Sequence, residues 1–250
     1  MKKYILCITV LLLLVFNCNL QNAENKKQQS LYKEINLKEM EHNTENLHDN
    51  LKNYIPIKEF DIKKFNAKCG ERSSYHFVDE NGMEVEQWVN DEFSPRRRVF
   101  GYTEKRRFPN SAYMFYSEYD ANGKLIKTHI SFHGMVTEFI YFYNTDGEII
   151  KKEDRDMPYK FSIDNLIRKM EKEYNVDIVD TRICNRVLRG VYGEYNNIPL
   201  YEVCLFGISR TQVICYLIDG NTGETLFTTT RNLRELRESI ADEYLNSLKK

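Results

Sequence analysis

The hydrophobic and polar positions of this chain change period several times, and each change predicts a different kind of element. Residues 5–16 are almost wholly apolar behind Lys2 and Lys3, the form of a secretory signal: a positive start followed by a short apolar run. A bilayer-spanning helix needs about 20 apolar residues, so this run is too short for a comfortable span. Residues 19–30 are polar with no helical spacing and read as a flexible tether. Leu31, Ile35, Leu47, Leu51 and Tyr54 give a partial helical stripe, interrupted by residues 42–45 and ended by Pro56.

From residue 74 the period becomes two. Residues 75–85, 116–126 and 142–150 share one form: an aromatic-rich strand, a turn of Asp or Asn closing on Gly82, Gly123 or Gly147, then a second strand. Asn-Gly and Asp-Gly supply the positive φ that tight hairpins require. Tyr113, Phe115, Ser117 and Tyr119 alternate with Met114, Tyr116 and Glu118, and Gly123 and Gly147 lie 24 residues apart, as a short hairpin repeat would place them. This segment resembles the MORN-like hairpin repeats of bacterial surface proteins.

At residue 161 the period returns to that of a helix. Ser162 is a capping residue, and Ile163, Leu166, Ile167, Met170 and Tyr174 form one stripe. Strands are predicted at 177–189, 200–206, 213–218 and 225–230, and a closing amphipathic helix on Leu233, Leu236, Ile240, Tyr244 and Leu248. If 200–206 and 213–218 pair symmetrically, Cys204 faces Cys215. Tyr201, Val203, Leu205, Ile214, Tyr216 and Ile218 then share an apolar face beneath helix 162–174. The opposite face, with Glu202, Cys204, Phe206, Val213, Cys215 and Leu217, needs its own cover: the last helix, the hairpin domain or a partner. A slip of one residue would exchange the two faces.

The segments Pro199, Leu200, Tyr201, Glu202, Val203 and Leu217, Ile218, Asp219, Gly220, Asn221, Thr222, Gly223, Glu224, Thr225, Leu226, with the helix before them, resemble the PepSY domain. Cys204 and Cys215 stand where that family has no special need of cysteine. The resemblance implies a helix-plus-antiparallel-sheet unit and an association with protease restraint or envelope sensing. The expected architecture is α+β: signal 1–17, tether and loose helices 18–73, an antiparallel β-hairpin meander 74–158, and a PepSY-like domain with a C-terminal helix 159–250.

The ends of the chain add an address. Val15, Phe16, Asn17 and Cys18 resemble the lipobox of bacterial lipoproteins, which implies lipidation at Cys18. The family's usual Leu and small residue are here Val15 and Asn17. The rival is a cut after Ala23, where Gln21 occupies a position that wants a small residue; an uncleaved anchor is a third reading. The 36 basic residues lose only Lys2 and Lys3 with the signal, against 37 acidic, so bulk charge makes no case for nucleic acid. Beyond Cys7 and Cys18, four cysteines remain: Cys69, Cys184, Cys204 and Cys215. They fit an oxidising compartment, with disulfides among Cys184, Cys204 and Cys215, or they are small buried hydrophobes.

Catalytic patterns are missing from the sequence. No C-x-x-C, H-E-x-x-H, G-x-S-x-G or phosphate-binding glycine loop occurs. Asp219-Gly220-Asn221 is only a fragment of a calcium loop. His129 and His133 are four apart, which on one strand is one face; packing or surface roles fit them better than metal ligation. No cofactor is expected. The sharpest local feature is basic: Arg96, Arg97 and Arg98, then Lys105, Arg106 and Arg107. These could meet an acidic protein or anionic lipid, or be a solvated edge that discourages aggregation. The expectation is a non-catalytic, membrane-anchored (otherwise secreted) envelope lipoprotein that binds a protein or peptide, of an inhibitory or immunity type by the PepSY resemblance. The alternatives are an envelope hydrolase with an unrecognised site and a structural surface component.

Overall fold

The computed structural model describes residues 56–70, 73–91, 99–192, 197–207, 209, 211–235 and 239–248. The predicted signal, Cys18, the tether and Arg96, Arg97 and Arg98 lie outside these residues. A short helix, α1 (Ile62–Cys69), opens the described chain, with the Asp61 carboxylate accepting from the Lys64 amide as its cap. Seven antiparallel strands follow in sequence order, forming one meander: β1 (Ser74–Val78), β2 (Glu84–Asp91), β3 (Val99–Arg107), β4 (Tyr113–Asp120), β5 (Leu125–Phe132), β6 (Met135–Tyr143) and β7 (Ile149–Asp154). Next comes α2 (Ile163–Tyr174). A four-stranded antiparallel sheet is then built from β8 (Cys184–Tyr192), β9 (Ile198–Phe206), β10 (Gln212–Asp219) and β11 (Thr225–Asn232), in the order β11-β10-β9-β8. A 3-10 turn (Leu233–Glu235) leads to α3 (Ile240–Leu248). The architecture is α+β and antiparallel throughout. No helix among the described residues is long and apolar enough to cross a membrane.

The three repeated turns share one hydrogen-bond pattern. The amides of Gly82, Gly123 and Gly147 each donate to the carbonyl three residues back, on Asp79, Asp120 and Asn144, at 3.0 Å. The side-chain oxygen of that same Asp or Asn accepts two further amides at 2.8–3.0 Å. Only the glycines take positive φ (77°, 82° and 79°); Asn81, Asn122 and Asp146 do not. Each turn is therefore a type I turn closed by a left-handed glycine rather than a two-residue turn with both φ positive. The latter kind occurs at His133 (φ 48°) and Gly134 (φ 82°), between β5 and β6.

The meander's inner face is covered at both ends. Near the chain's start, α1 lays Phe65 and Cys69, with Phe60 beside it, on Tyr102, Tyr119 and Leu125. Phe60 stacks on Tyr102 with ring centroids 4.7 Å apart. At the other end Tyr113, Phe115, Phe132 and Met83 join a larger cluster with Ile163, Leu166, Ile167 and Met170 of α2 and Val187, Tyr201, Val203, Leu205 and Ile218 of the second sheet. One core thus spans the expected boundary at residue 158. Polar ties reinforce it. The Arg189 guanidinium, on β8, donates to Asp156 (2.6 Å), to the Val136 carbonyl (2.6 Å) and to the Arg155 carbonyl (2.7 Å).

The sequence reading of the second sheet holds in register. Cys215 pairs with Cys204 and Ile218 with Tyr201. The second apolar face is covered by α3, whose Ile240 and Ala241 pack on Leu200, Cys204, Val213, Cys215 and Leu217. Two boundaries differ. Residues 177–183 are turns and loop rather than strand, because Ile178 and Val179 are buried as an irregular segment whose backbone bonds Ala112. In the last helix Ala241 and Leu245 are buried whereas Leu248 is exposed, so its packed stripe is shifted from the one predicted.

Gly123 has a positive φ, and a Cβ there would lie 2.8 Å from the Phe60 carbonyl oxygen; at Gly147 the same φ meets open space. Gly147→Ala is expected to cost about 1–2 kcal/mol from the left-handed conformation alone. Gly123→Ala should cost distinctly more, because the Phe60–α1 contact must also shift. Urea unfolding of the two variants measures the difference; equal losses would show that the close approach carries no energy.

Candidate functional site: the outer face of the seven-stranded sheet

Strand alternation sorts the meander's polar side chains onto two faces. On the inner face, Glu104 is 2% exposed. Its carboxylate accepts from Gln87 Nε2 at 2.6 Å and from Arg106 Nε at 2.7 Å. Arg106 Nη1 also donates to Asp79 Oδ2 at 2.9 Å, while Asp79 Oδ1 holds the first repeated turn. A buried charge is tolerable only when paired and bonded in this way. Arg106 is thereby committed to the interior.

The outer face is different. Register places His76, Glu86, Lys105, Tyr116 and His129 side by side across β1 to β5. Neighbours in this row touch. His76 Nε2 lies 3.7 Å from Glu86, and Lys105 Nζ donates to the other Glu86 oxygen at 3.2 Å. The same ammonium sits 4.6 Å from the Trp88 ring centroid and 5.7 Å from that of Tyr116, within cation–π range. Tyr116 stacks on His129 at 4.5 Å with the rings nearly parallel. A second row runs beside it, with Lys127 Nζ donating to Glu118 at 2.7 Å and Lys151 over Phe142. None of Trp88, Met114, Tyr116, His129 or Phe142 belongs to a buried cluster. Each stays partly exposed. A shallow pocket of about 460 Å³ opens at one end of the row, lined in part by His76, Glu86, Lys105, Arg107 and Met114.

The described half of the basic cluster is therefore divided. Lys105 and Arg107 point outward and Arg106 inward. Each pairs with a carboxylate: Glu86, Glu84 (2.6 Å) and Glu104 with Asp79 respectively. The outer face is a mosaic of paired charges and aromatic rings. Its row was not visible in the sequence, because residues 76 and 129 come into one row only through four successive strand pairings.

The histidines are separated too. His129 is on β5, its Nδ1 buried with no hydrogen-bond partner. Burial, then the nearby Lys127 ammonium, pushes its pKa below the ordinary histidine value. His133 is in the turn beyond β5, where its Nε2 donates to the Ile178 carbonyl at 2.8 Å; burial again pushes its pKa down. Neither ring hydrogen-bonds a carboxylate. Among the described residues no three His, Cys, Asp or Glu side chains converge as metal ligands would. The cysteines Cys69, Cys184, Cys204 and Cys215 are buried and not joined in disulfides. Comparison with protein-family models, curated proteins and solved structures finds no match for this chain.

Both histidine shifts have one sign. A folded-state pKa below the unfolded value of about 6.5 means that the unfolded chain binds the proton first. This contribution to stability is complete above that pH and is lost as pH falls below it. His133→Asn keeps a residue that tolerates positive φ and removes one titrating ring. The variant is expected to lose about 1 kcal/mol at pH 7 with the Ile178 bond, yet to lose less than the parent between pH 7 and pH 5. Urea midpoints at the two pH values check this; parallel losses would refute the His133 contribution.

Proposed function

We propose that this chain is a non-catalytic, extracytoplasmic binding protein, held to a membrane through lipid on Cys18, that engages a protein or peptide partner with the outer face of its seven-stranded sheet. The observation that carries the reading is the row of His76, Glu86, Lys105, Tyr116 and His129 beside Trp88, five strands wide and left open by every buried cluster. Trp and Tyr supply rigid contact area at low entropic cost, and Trp, Tyr and Arg dominate binding hot spots. Paired charges set orientation and rejection more than affinity. The alternation of ring and ion pair suits a mixed polar surface better than a lipid headgroup layer, because Lys105 and Arg107 are already answered by Glu86 and Glu84.

In this reading the C-terminal unit is PepSY-like and the meander MORN-like. Support for the first is a capped helix before four antiparallel strands, with the Asp219–Gly223 turn between the last two. Support for the second is the thrice-repeated turn. An inhibitory or immunity-type role follows from the PepSY resemblance. The surface, rather than the fold, decides the partner.

The test is comparative capture. The intact chain is immobilised and exposed to envelope extract, and the recovered species is titrated against the parent and against Trp88→Ala, Tyr116→Ala and Glu171→Ala, the last an exposed position on α2. Trp88→Ala and Tyr116→Ala should each weaken binding roughly tenfold or more, with urea midpoints showing an intact fold. Glu171→Ala should leave it unchanged. Equal retention by all of these variants would place the partner elsewhere or exclude one.

A further inference from the structure

Cys204 and Cys215 occupy a special position in the second sheet. The Gly207 amide donates to the Gln212 carbonyl at 2.8 Å, so Gly207 and Gln212 are a hydrogen-bonded pair. Antiparallel pairs alternate between hydrogen-bonded and non-hydrogen-bonded types. Counting along the register, Phe206 with Val213 is non-hydrogen-bonded, Leu205 with Ile214 hydrogen-bonded, and Cys204 with Cys215 non-hydrogen-bonded. That is the type with the closer backbones, Cα atoms about 4.5 Å apart, within the span a disulfide bridges. Both side chains lie in the one buried cluster beneath α3.

Cys184 is excluded from this pair by the pleat. It lies opposite Leu205 on β9 and belongs to the cluster under α2, whereas Cys204 and Cys215 face α3. Its thiol donates to the Cys204 carbonyl at 3.6 Å, so it approaches the backbone of Cys204 from the far side of the sheet.

The surroundings of the pair suit exchange chemistry. Arg186 pairs in register with Cys204, and a nearby cation favours a thiolate. The Cys215 thiol, then the Arg186 guanidinium, favours ionisation of Cys204 against the opposing effect of burial. Both sulfurs are fully buried, so no reagent reaches them while α3 is seated. The cover has two polar ties: the Glu202 carboxylate accepts from the Ser239 hydroxyl, and from the Ala241 amide at 3.5 Å, at the start of α3, and Glu243 within α3 accepts from Arg231 Nε of β11 at 3.0 Å.

We propose that Cys204 and Cys215 form a reversible cross-strand disulfide by exchange with an external disulfide, and that the lifting of α3 gates the exchange. The Cys204 thiolate attacks one sulfur of the donor, breaking its S–S bond and releasing one thiolate. Cys215, giving up its proton, attacks Cys204 in the mixed disulfide and releases the second. One donor disulfide is reduced to two thiols, which take the two cysteine protons, and two cysteines are oxidised to one bridge. The inference stands apart from the partner-binding reading and does not depend on it.

The full chain is reduced, freed of reductant and incubated folded with oxidised glutathione, and bridges are mapped by proteolysis and mass spectrometry. The parent and Cys184→Ala should both acquire a 204–215 bridge that dithiothreitol reverses; Cys204→Ser should not. Ile240→Ala, which loosens α3, should speed bridging roughly tenfold or more. Leu245→Ala provides a second loosened helix if the first variant folds poorly. A bridge that involves Cys184, or no 204–215 bridge in any folded variant while the urea-unfolded chain forms one, would overturn the pair. Equal rates in the parent and both helix variants would overturn the gating.

Discussion

The structure depends on α2 being shared. Leu166 and Met170 are fully buried in a cluster that draws side chains from both sheets. A fully buried Leu or Met side chain contributes about 1.5–3 kcal/mol, and this cluster gathers eighteen buried residues from α2, the irregular segment after it, the meander with its turns, and the second sheet. The polar ties at the same junction, Arg189 to Asp156 and two carbonyls and His133 to the Ile178 carbonyl, are each worth about 0.5–3 kcal/mol net. Apolar burial therefore supplies most of the attachment, and the directional bonds fix its angle.

That attachment determines what the surface can be. The shared core and α1 cover the inner face of the meander at its two ends, and the Asp79, Arg106, Glu104 and Gln87 network lies on that same face. The outer face retains Trp88, Lys105, Tyr116 and His129. The charges there are balanced by neighbours one strand away, so the face stays soluble while carrying rings. The second sheet shows the opposite solution. Both faces of β9 are buried, one under α2 and one under α3, and the cysteine pair lies under the smaller cover.

Features encoded within a few residues were legible in the sequence. The turns at Gly82, Gly123 and Gly147 could be read because an Asp or Asn and a left-handed Gly solve the reversal locally. The Ser162 cap and the α2 stripe were likewise local, and the Cys204–Cys215 register followed from a short symmetric hairpin. Features that depend on distant pairing were hidden. Helix α1 has eight residues, too few for a periodic signal, and its burial depends on Tyr102 and Tyr119. Ile178 and Val179 read as strand because they are apolar and β-branched, yet they fill the core as an irregular segment. Lys105, Arg106 and Arg107 read as one basic cluster, until strand alternation sends the middle one inward to Glu104. The outer row requires four correct registers before it exists at all.

The central claim is that the two sheets are one cooperative body, so that the open face, α2 and α3 keep a fixed relation. Two reporters already present in the chain distinguish the sheets. Trp88, the single tryptophan, reports the meander by fluorescence, and the buried thiols of Cys184, Cys204 and Cys215 report the second sheet by their labelling. In an equilibrium urea titration the two signals should change together, with one midpoint and one slope. Separate midpoints, with one sheet melting while the other keeps its signal, would contradict the shared core as the element that holds the molecule together.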